Sequence, residues 1–533
     1  MELTGQSIIG YQRGKKTGKA LSGFNPSTGQ PLMPNYYSAS EEEVDKAVQL
    51  ASQSFTPYSA LSGKDRAAFL RTIADNIDRL GETLVERASS ESGLPAARIR
   101  NERGRTCSQL KFFAKMIESG SWVDARIDHA EPTRVSVPKP DVRSMLQPLG
   151  PIASFCAGNF PLAFSVAGGD TTSALASGNP VIVLGHYGHP GTAELVGMAI
   201  QNAALKCGLS EGVFSLLFDA GHNVAKALVR HPEVRGVGFT GSRAGGMSLM
   251  EVSNSRPEPI PFYAEMSSIN PVFVLPSAIA SRGEAVAKGL HESATTGMGQ
   301  FCTNPGVVVT IGDAERFISQ FVALMSATAD GTMLNQNVVS SYRRAVSERS
   351  KQPAVKVRWS AATFAQANTT GCSAGTAVFE TDARNWLDDP SLQDEIFGPA
   401  ILLVSATNPE ELLEIARSLN GNLTATIMGS AEDLITFSDL AEVLGKKVGR
   451  VLFNGFPTGV EVCEAMVHGG PYPATSDGRS TSVGGRAILR FTRAVCYQNF
   501  PDAALPAELQ EANPCGIWRM EDGQFVQSRL PNG

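Results

Sequence analysis

Two stretches of this 533-residue chain alternate short apolar strands with helices, and that alternation restricts the fold more than any other feature. The first stretch begins after Leu149. Pro151–Phe155, Val181–Leu184, Val213–Phe218 and Val234–Phe239 read as strands, with helices expected over Gly191–Lys206, from His222 and from Gly245. The second begins near Pro271 and runs to about Asn454, with PVFVLP, GVVVTI, AILLVS, TATIMGS and RVLFNG as its strands. Strands alternating with helices predict parallel sheets covered on both faces, an α/β class. Ligands of such sheets sit outside the carboxyl ends of the strands. Residues that directly follow a strand are therefore the candidates for chemistry.

The first third reads as helical. Ser40 followed by Glu43 is a capping box that opens a helix over Glu41–Phe55. A second helix is expected from Lys64 towards Ser90 and a third near Glu102–Glu118, with Gly93 and Pro95 between them. Two segments fit neither alternating region, Arg134–Gln147 and the part after Ser480. Both are expected to be extended strands of a small third unit.

Length is compatible with roughly three domains. With 46 Lys and Arg against 52 Asp and Glu the net charge is −6, and no long basic run occurs. Nucleic-acid binding has no electrostatic footprint here. No run of about 18 apolar residues occurs, so no membrane helix is expected. The first twenty residues lack the apolar core of a signal peptide, which predicts a cytoplasmic protein. The 8 cysteines are scattered without a CxxC pair, which fits a reducing compartment with most thiols as small buried apolar groups. The 7 histidines show no HExxH spacing, so no metal is expected.

Four motifs offer chemistry, each with a plainer alternative. Cys302 sits in GMGQFCTNPG, where glycines let backbone approach a substrate; it is either a nucleophile or a buried structural thiol. Glu265, in PFYAEMSSINP, follows a strand; buried, its pKa would rise and it would serve as a general base, or else it is a cap or ion-pair partner. Asn159, in CAGNFPLAF, is an oxyanion donor or an Asx-turn residue. GFTGSRAGG, over Gly238–Gly246, follows a strand and opens a helix, so its backbone N–H groups suit a phosphate; it is also compatible with an ordinary turn.

NFPLAFS, GFTGS, AEMSSINP, GQFCTNPG and DEIFGP, in this order, resemble the aldehyde dehydrogenase superfamily, from about Thr28 to about Asn513. ERGRTCSQL, RPEPIPFYAEMSSINPVF, PTGVEVCEAMVHGGPYPATSD and VCYQNFPDAALP are similar to its bacterial α-ketoglutaric semialdehyde (2,5-dioxovalerate) dehydrogenase branch, and a fatty-aldehyde dehydrogenase shares many of these phrases. The resemblance implies an NAD(P)-dependent oxidation of an aldehyde, α-ketoglutaric semialdehyde to 2-oxoglutarate, through a thioester. Cys302 would be the nucleophile, Asn159 with the Cys302 N–H the oxyanion donors, and Glu265 the base that activates water. Glu395 would hold the nicotinamide ribose with Phe397 packed near the ring, while Gly241 and Ser242 would meet the pyrophosphate. Arg105, Phe160 and Phe164 would line the substrate tunnel, the guanidinium taking the far carboxylate; the alternative for Arg105 is a surface or structural arginine on a helix. The implied fold has two Rossmann-like parallel-sheet domains and a small β oligomerisation flap, in a homodimer or homotetramer. Residues 1–130 and 149–262 would bind the cofactor, 263–478 form the catalytic domain, 131–148 and 479–505 the flap, and 506–533 a C-terminal tail.

One stretch departs from the family pattern. Where the family reads VKAH or VKGH, this chain reads VLGH, so the lysine that meets the adenosine ribose or a 2′-phosphate is Leu184, which has no donor. His186 closes the same motif, Tyr187 replaces a small hydroxyl-type residue, and His222 lies near the place of an arginine that grips the 2′-phosphate in one relative. Weak NADP binding is expected, and NAD binding weak or shifted. A binding or structural protein on the same fold, with residual thioesterase activity, is the alternative that Leu184 supports. Glu265 argues against a CoA-acylating relative.

Overall fold

The computed structural model describes residues 2–361 and 371–527. Its first helix, Glu41–Ser59, starts as expected: the Ser40 side chain accepts from the Glu43 N–H and Glu43 reaches back to the Ser40 backbone. The expected second helix is two helices, Gly63–Arg79 and Gly81–Ser92. Gly81 has φ of 55°, a left-handed conformation that ends the first helix there. Gly93 closes the second in the same conformation, and the next helix, Ala96–Ser119, begins directly after Pro95, earlier than the apolar pattern indicated. The inward faces of these helices, with Phe69, Ile73, Leu110 and Phe113, share one core with Val181 and Val183 of the first sheet. Each such fully buried side chain contributes about 1.5–3 kcal/mol.

Among the described residues the first sheet has seven strands, in the order Phe262–Glu265, Gly236–Thr240, Ile152–Phe155, Val181–Leu184, Phe214–Leu217, Ile8–Ile9 and Gln12–Arg13. The first five run parallel, and the N-terminal pair closes the edge antiparallel. The second sheet runs Lys356–Ser360, Ala377–Asp382, Ala400–Ala406, Val307–Ile311, Val272–Val274, Asn422–Met428 and Val448–Phe453. All five strands expected from its sequence are there. Ala377–Asp382 and the antiparallel edge strand Lys356–Ser360 are additions. The edge strand carries Lys356 and Arg358, both ion-paired with Glu380, and lacks the apolar run of a central strand.

A five-stranded sheet forms the third unit: Thr492–Gln498, Val142–Pro148, Arg126–Asp128, Arg519–Glu521 and Gln524–Val526. Three expectations change here. Only the end of Arg134–Gln147 is a strand, because Pro138 and Pro140 lack the N–H that a ladder needs. Arg126–Asp128, grouped by sequence with the cofactor-binding part, pairs with Val142–Pro148. The residues after 505 are not a separate tail up to 527: a tight turn at Asp522 and Gly523, both with positive φ, folds them into this sheet. Residues 528–533 lie outside the described residues. Leu505, Leu509 and Ile517 pack with Val123, Ala125 and Met145 in a small separate core. No helix among the described residues is long and apolar enough to cross a membrane.

Candidate active site

The parallel strands of the first sheet start at Ile152–Phe155, move outward one way through Val181–Leu184, then return to add Gly236–Thr240 on the other side. This is a switch point, where the loops beyond two adjacent strands diverge and leave a crevice. Asn159 follows the first of these strands, Gly241 and Ser242 the second, and Glu265 ends the neighbouring strand Phe262–Glu265. The Gly241 N–H donates to the Glu265 carbonyl, which ties the two loops together.

Cys302 enters this crevice from the loop that precedes the strand Val307–Ile311 of the second sheet. The approach is tight. Gly297, Met298 and Gly299 all have positive φ, and a Cβ on Gly299 would stand 2.4 Å from the Gly398 carbonyl carbon. Buried Asn270, also at positive φ, donates through Nδ2 to the carbonyls of Cys302 (2.8 Å) and Asn304 (2.9 Å). From the other side Asn159 Nδ2 donates to the Gln300 carbonyl at 3.0 Å. An amide carries two N–H donors, so Asn159 keeps one for a ligand.

The half-buried Cys302 Sγ lies 3.5 Å from His468 Nε2, and that same nitrogen lies 2.9 Å from Glu265 Oε1. The Ser482 hydroxyl donates to the second carboxylate oxygen at 2.7 Å. His468 and Ser482 belong to one segment that crosses the end of the strand Phe262–Glu265, pinned there by Ala474 and Ser476. Its own ends are joined by the Ser482 N–H donating to the His468 carbonyl.

The electrostatics correct one expectation. Burial does push the Glu265 carboxyl up, but His468, the Ser482 hydroxyl and the Cys302 thiol together outweigh it, and the net direction is below the ordinary carboxylate range. Glu265 is thus a buried carboxylate kept ionised by its neighbours. The thiol shows the reverse: burial, then the charge and hydrogen bond of Glu265, hold Cys302 well above the ordinary thiol range. At rest the proton stays on sulfur, beside a carboxylate able to take it.

Phe160 packs edge-on against Phe164 (5.2 Å between centroids) and Phe301 (5.1 Å), and Phe164 reaches the His468 ring at 6.1 Å. The Arg105 guanidinium lies 5.2 Å over Phe164, with Nη2 donating to the Val460 carbonyl and Nη1 buried without a partner among the described residues. Arg98 covers Phe160 and Phe301 and donates to the Asn159 carbonyl. The three residues expected to line the substrate tunnel therefore form one wall beside the sulfur.

Glu395 and Phe397 line a small cavity with Ser268, Gly299 and Phe301. Burial pushes the Glu395 carboxyl up to about 7, against hydrogen bonds from Ser267 and the Ser268 backbone. Ser242 caps the helix Arg243–Asn254, and the first residues of that helix are exposed, so the N–H groups at its start are open to an anion. Around Leu184 the histidines supply little. His186 stacks on Tyr187 (4.4 Å) and on His189 (5.2 Å), and burial lowers its pKa to about 3, so it is neutral at ordinary pH. His222 is an exposed residue at the start of the helix Asn223–Arg230, without a side-chain cap bond.

Sequence reasoning missed four members of this site: His468, Ser482, Asn270 and Glu102. Glu102 is buried and accepts the N–H groups of Leu162 and Ala163, both at 2.9 Å, which fixes the loop that carries Asn159. The glycines beside His468 in VHGGPYP are the same signal that marks Cys302. All 8 cysteines are free thiols, Cys107, Cys156 and Cys372 being buried.

A model of the aldehyde dehydrogenase family matches residues 12–487. The chain is 48% identical over 527 residues to alpha-ketoglutaric semialdehyde dehydrogenase 2 of Azospirillum brasilense, covering 98% of this chain and 100% of that one. It is 42% identical over 530 residues to the alpha-ketoglutaric semialdehyde dehydrogenase of Acinetobacter baylyi, covering 99% and 100%. Among solved structures, lactaldehyde dehydrogenase from Escherichia coli matches with a TM-score of 0.80 at 19% identity, covering 92% of this chain and 98% of that one. PnpE in complex with nicotinamide adenine dinucleotide matches with a TM-score of 0.77 at 22% identity, covering 92% and 97%. These last two likenesses show the fold.

Proposed function

Because the chain belongs to the aldehyde dehydrogenase family, we propose that it oxidises α-ketoglutaric semialdehyde to 2-oxoglutarate through a thioester on Cys302, with NAD(P) as acceptor. The observation that carries this reading is the contact of Cys302 with a buried imidazole–carboxylate pair beside a free amide N–H of Asn159.

The thiol gives its proton to the Glu265 carboxylate. The Nε2–H of His468, which donates to Glu265 at rest, lies close enough to turn to the new thiolate. Thiolate sulfur then attacks the aldehyde carbon. The Asn159 amide and the Cys302 N–H stabilise the oxyanion that forms. When bound, the nicotinamide supplies the acceptor for the hydride lost as the adduct becomes a thioester. Glu265 loses the thiol's proton to solvent, and its carboxylate then takes a proton from water, whose oxygen attacks the thioester carbon. Sulfur leaves as the acid is released. Ser482 holds the far oxygen of Glu265 and fixes its direction for both proton transfers.

The residues present fit a dinucleotide. The open start of the helix Arg243–Asn254, with Gly241 and Ser242, would hold the pyrophosphate, and Glu395 with Phe397 the nicotinamide ribose and ring. Leu184 and a neutral His186 offer no charge to the adenosine ribose or a 2′-phosphate, so the reading includes weak NADP binding. Arg105 would take the substrate's carboxylate, and the aromatic wall of Phe160 and Phe164 its methylenes. The near-complete coverage of semialdehyde dehydrogenases supports this substrate over a long-chain aldehyde. The five-stranded sheet, with exposed Trp518 and Phe525, supports assembly into a homodimer or homotetramer, and a cytoplasmic setting belongs to the same reading.

The test is NAD(P)H absorbance with α-ketoglutaric semialdehyde and each cofactor, beside a Cys302→Ala control. Turnover that the control abolishes supports the reading. A folded protein without turnover on either cofactor overturns it.

A further inference from the structure

Cys302, His468 and Glu265 bring a thiol, an imidazole and a carboxylate together, with one ligand atom from each lying within 4.8 Å of the others. We infer that these three residues form a binding site for Zn²⁺, and that an ion bound there stops turnover reversibly. This goes beyond the proposed oxidation, and the binding half does not depend on it.

The argument is geometric. A tetrahedral zinc ion sits about 2.3 Å from sulfur and about 2.0–2.2 Å from nitrogen and oxygen, which places the ligand atoms of one ion roughly 3.4–3.6 Å apart. The sulfur–nitrogen separation here is 3.5 Å and the nitrogen–oxygen separation 2.9 Å. Of these two the second must open, by about half an ångström on that geometry, and the sulfur–oxygen separation lies within 4.8 Å. The outer shell is already built: Ser482 occupies the far oxygen of Glu265, leaving Oε1 as a single ligand, and Phe164 packs near the imidazole. Three protein ligands leave a fourth position for water. The set is selective, since thiolate with imidazole suits zinc while magnesium and calcium require oxygen ligands. Charge also balances, because a thiolate and a buried carboxylate would face a dication. On binding, the S–H bond breaks and its proton passes to solvent while a sulfur–metal bond forms; nothing is oxidised or reduced. The ion then holds the sulfur pair and the carboxylate oxygen that the reaction needs. The three residues are far apart in sequence, which is why no ligand spacing marks them.

Cobalt(II) is the probe, titrated into the reduced full-length protein. Binding at one ion per chain with a thiolate-to-cobalt charge-transfer band, displaced by Zn²⁺, supports the site. Cys302→Ser should abolish that band, and His468→Gln should weaken binding by at least about 100-fold, beyond what loss of an outer-shell partner costs. Zinc should also protect Cys302 from iodoacetamide while excess magnesium does not, and a chelator should restore aldehyde turnover. No charge-transfer band, or a band unchanged in both variants, overturns the site. Cobalt and zinc binding at Cys302 with undiminished turnover overturns the inhibition. A protein that binds the metal as described but turns over no aldehyde counts against the oxidation alone.

Discussion

Replacing Glu102 tests whether a residue that touches no reacting atom sets the position of Asn159. Its Oε1 accepts two backbone N–H groups, from Leu162 and Ala163, three and four residues after Asn159. Alanine orphans both donors inside the protein, at about 1–3 kcal/mol each, so the local cost is about 2–6 kcal/mol. At tenfold per 1.4 kcal/mol, exchange of those two amides should rise by about 30-fold to about 10⁴-fold. Glutamine keeps an acceptor in place and loses only the charge assistance, roughly half the strength of each bond. The assay is hydrogen–deuterium exchange of the peptide spanning 157–165, paired with kcat and KM for the aldehyde. For Glu102→Ala, kcat should fall by up to about 10²–10³-fold, the effect of losing one oxyanion donor, with KM moving less. Stability has a sign as well. Burial raises the Glu102 carboxyl, ahead of the opposing pulls of the Ala163 N–H, Arg98, the Leu162 N–H and Arg105. Its stabilising contribution is therefore full below the ordinary carboxylate range and declines as pH rises through the raised value. Any stability deficit of Glu102→Gln against the unaltered protein should narrow with rising pH. An alanine variant with unchanged exchange across 157–165, or a glutamine variant as damaged as alanine, would refute the reasoning.

Other outcomes follow from the same geometry. His468→Gln removes a charge-assisted partner worth about 1.5–3 kcal/mol, so kcat/KM should fall about ten- to hundredfold. Without that imidazole burial raises the Glu265 carboxyl, and the acid limb of the pH–rate profile should move to higher pH; an unmoved limb counts against the assignment. Arg105→Leu should raise KM for α-ketoglutaric semialdehyde about ten- to hundredfold while sparing an uncharged aldehyde of equal length; equal losses on both would remove Arg105 from carboxylate recognition. Glu395 titrates at about 7, and its carboxylate is the form that accepts from ribose hydroxyls, so cofactor affinity by fluorescence titration should weaken as pH falls through that value. A flat profile in the unaltered protein, or the same slope in Glu395→Gln, contradicts this. Leu184→Lys should tighten NADP binding by roughly tenfold or more; no change by calorimetry would locate the phosphate elsewhere.

The two sheets were legible because parallel strands buried on both faces are short apolar runs, such as VVVTI and AILLVS. What sequence missed was strand and turn chemistry of another kind. The edge strand Lys356–Ser360 is half polar, and the Asp522–Gly523 hairpin lies in a segment with little apolar character. In the site, Cys302, Glu265 and Asn159 were legible because each follows a strand or sits among glycines. Glu265 was expected to have a raised pKa because burial was weighed without its partner. The imidazole that reverses the shift is contributed by a segment two hundred residues away, and no local pattern carries that information. Glu102 was equally invisible, since on a helix its spacing is that of any other polar residue.

The segment from His468 to Ser482 that closes over the end of the strand Phe262–Glu265 also has a consequence for synthesis. A ribosome delivers Cys302 long before it delivers His468. Until the later segment emerges, Glu265 and the thiol have neither the imidazole nor Ser482 beside them. The nascent chain therefore carries its nucleophile without its partners, and the arrangement that passes its proton to Glu265 and steadies that carboxylate is complete only once Ser482 has emerged. Iodoacetamide labelling of stalled ribosome–nascent-chain complexes, released at lengths on either side of His468, would show that switch as a step in the rate of Cys302 modification.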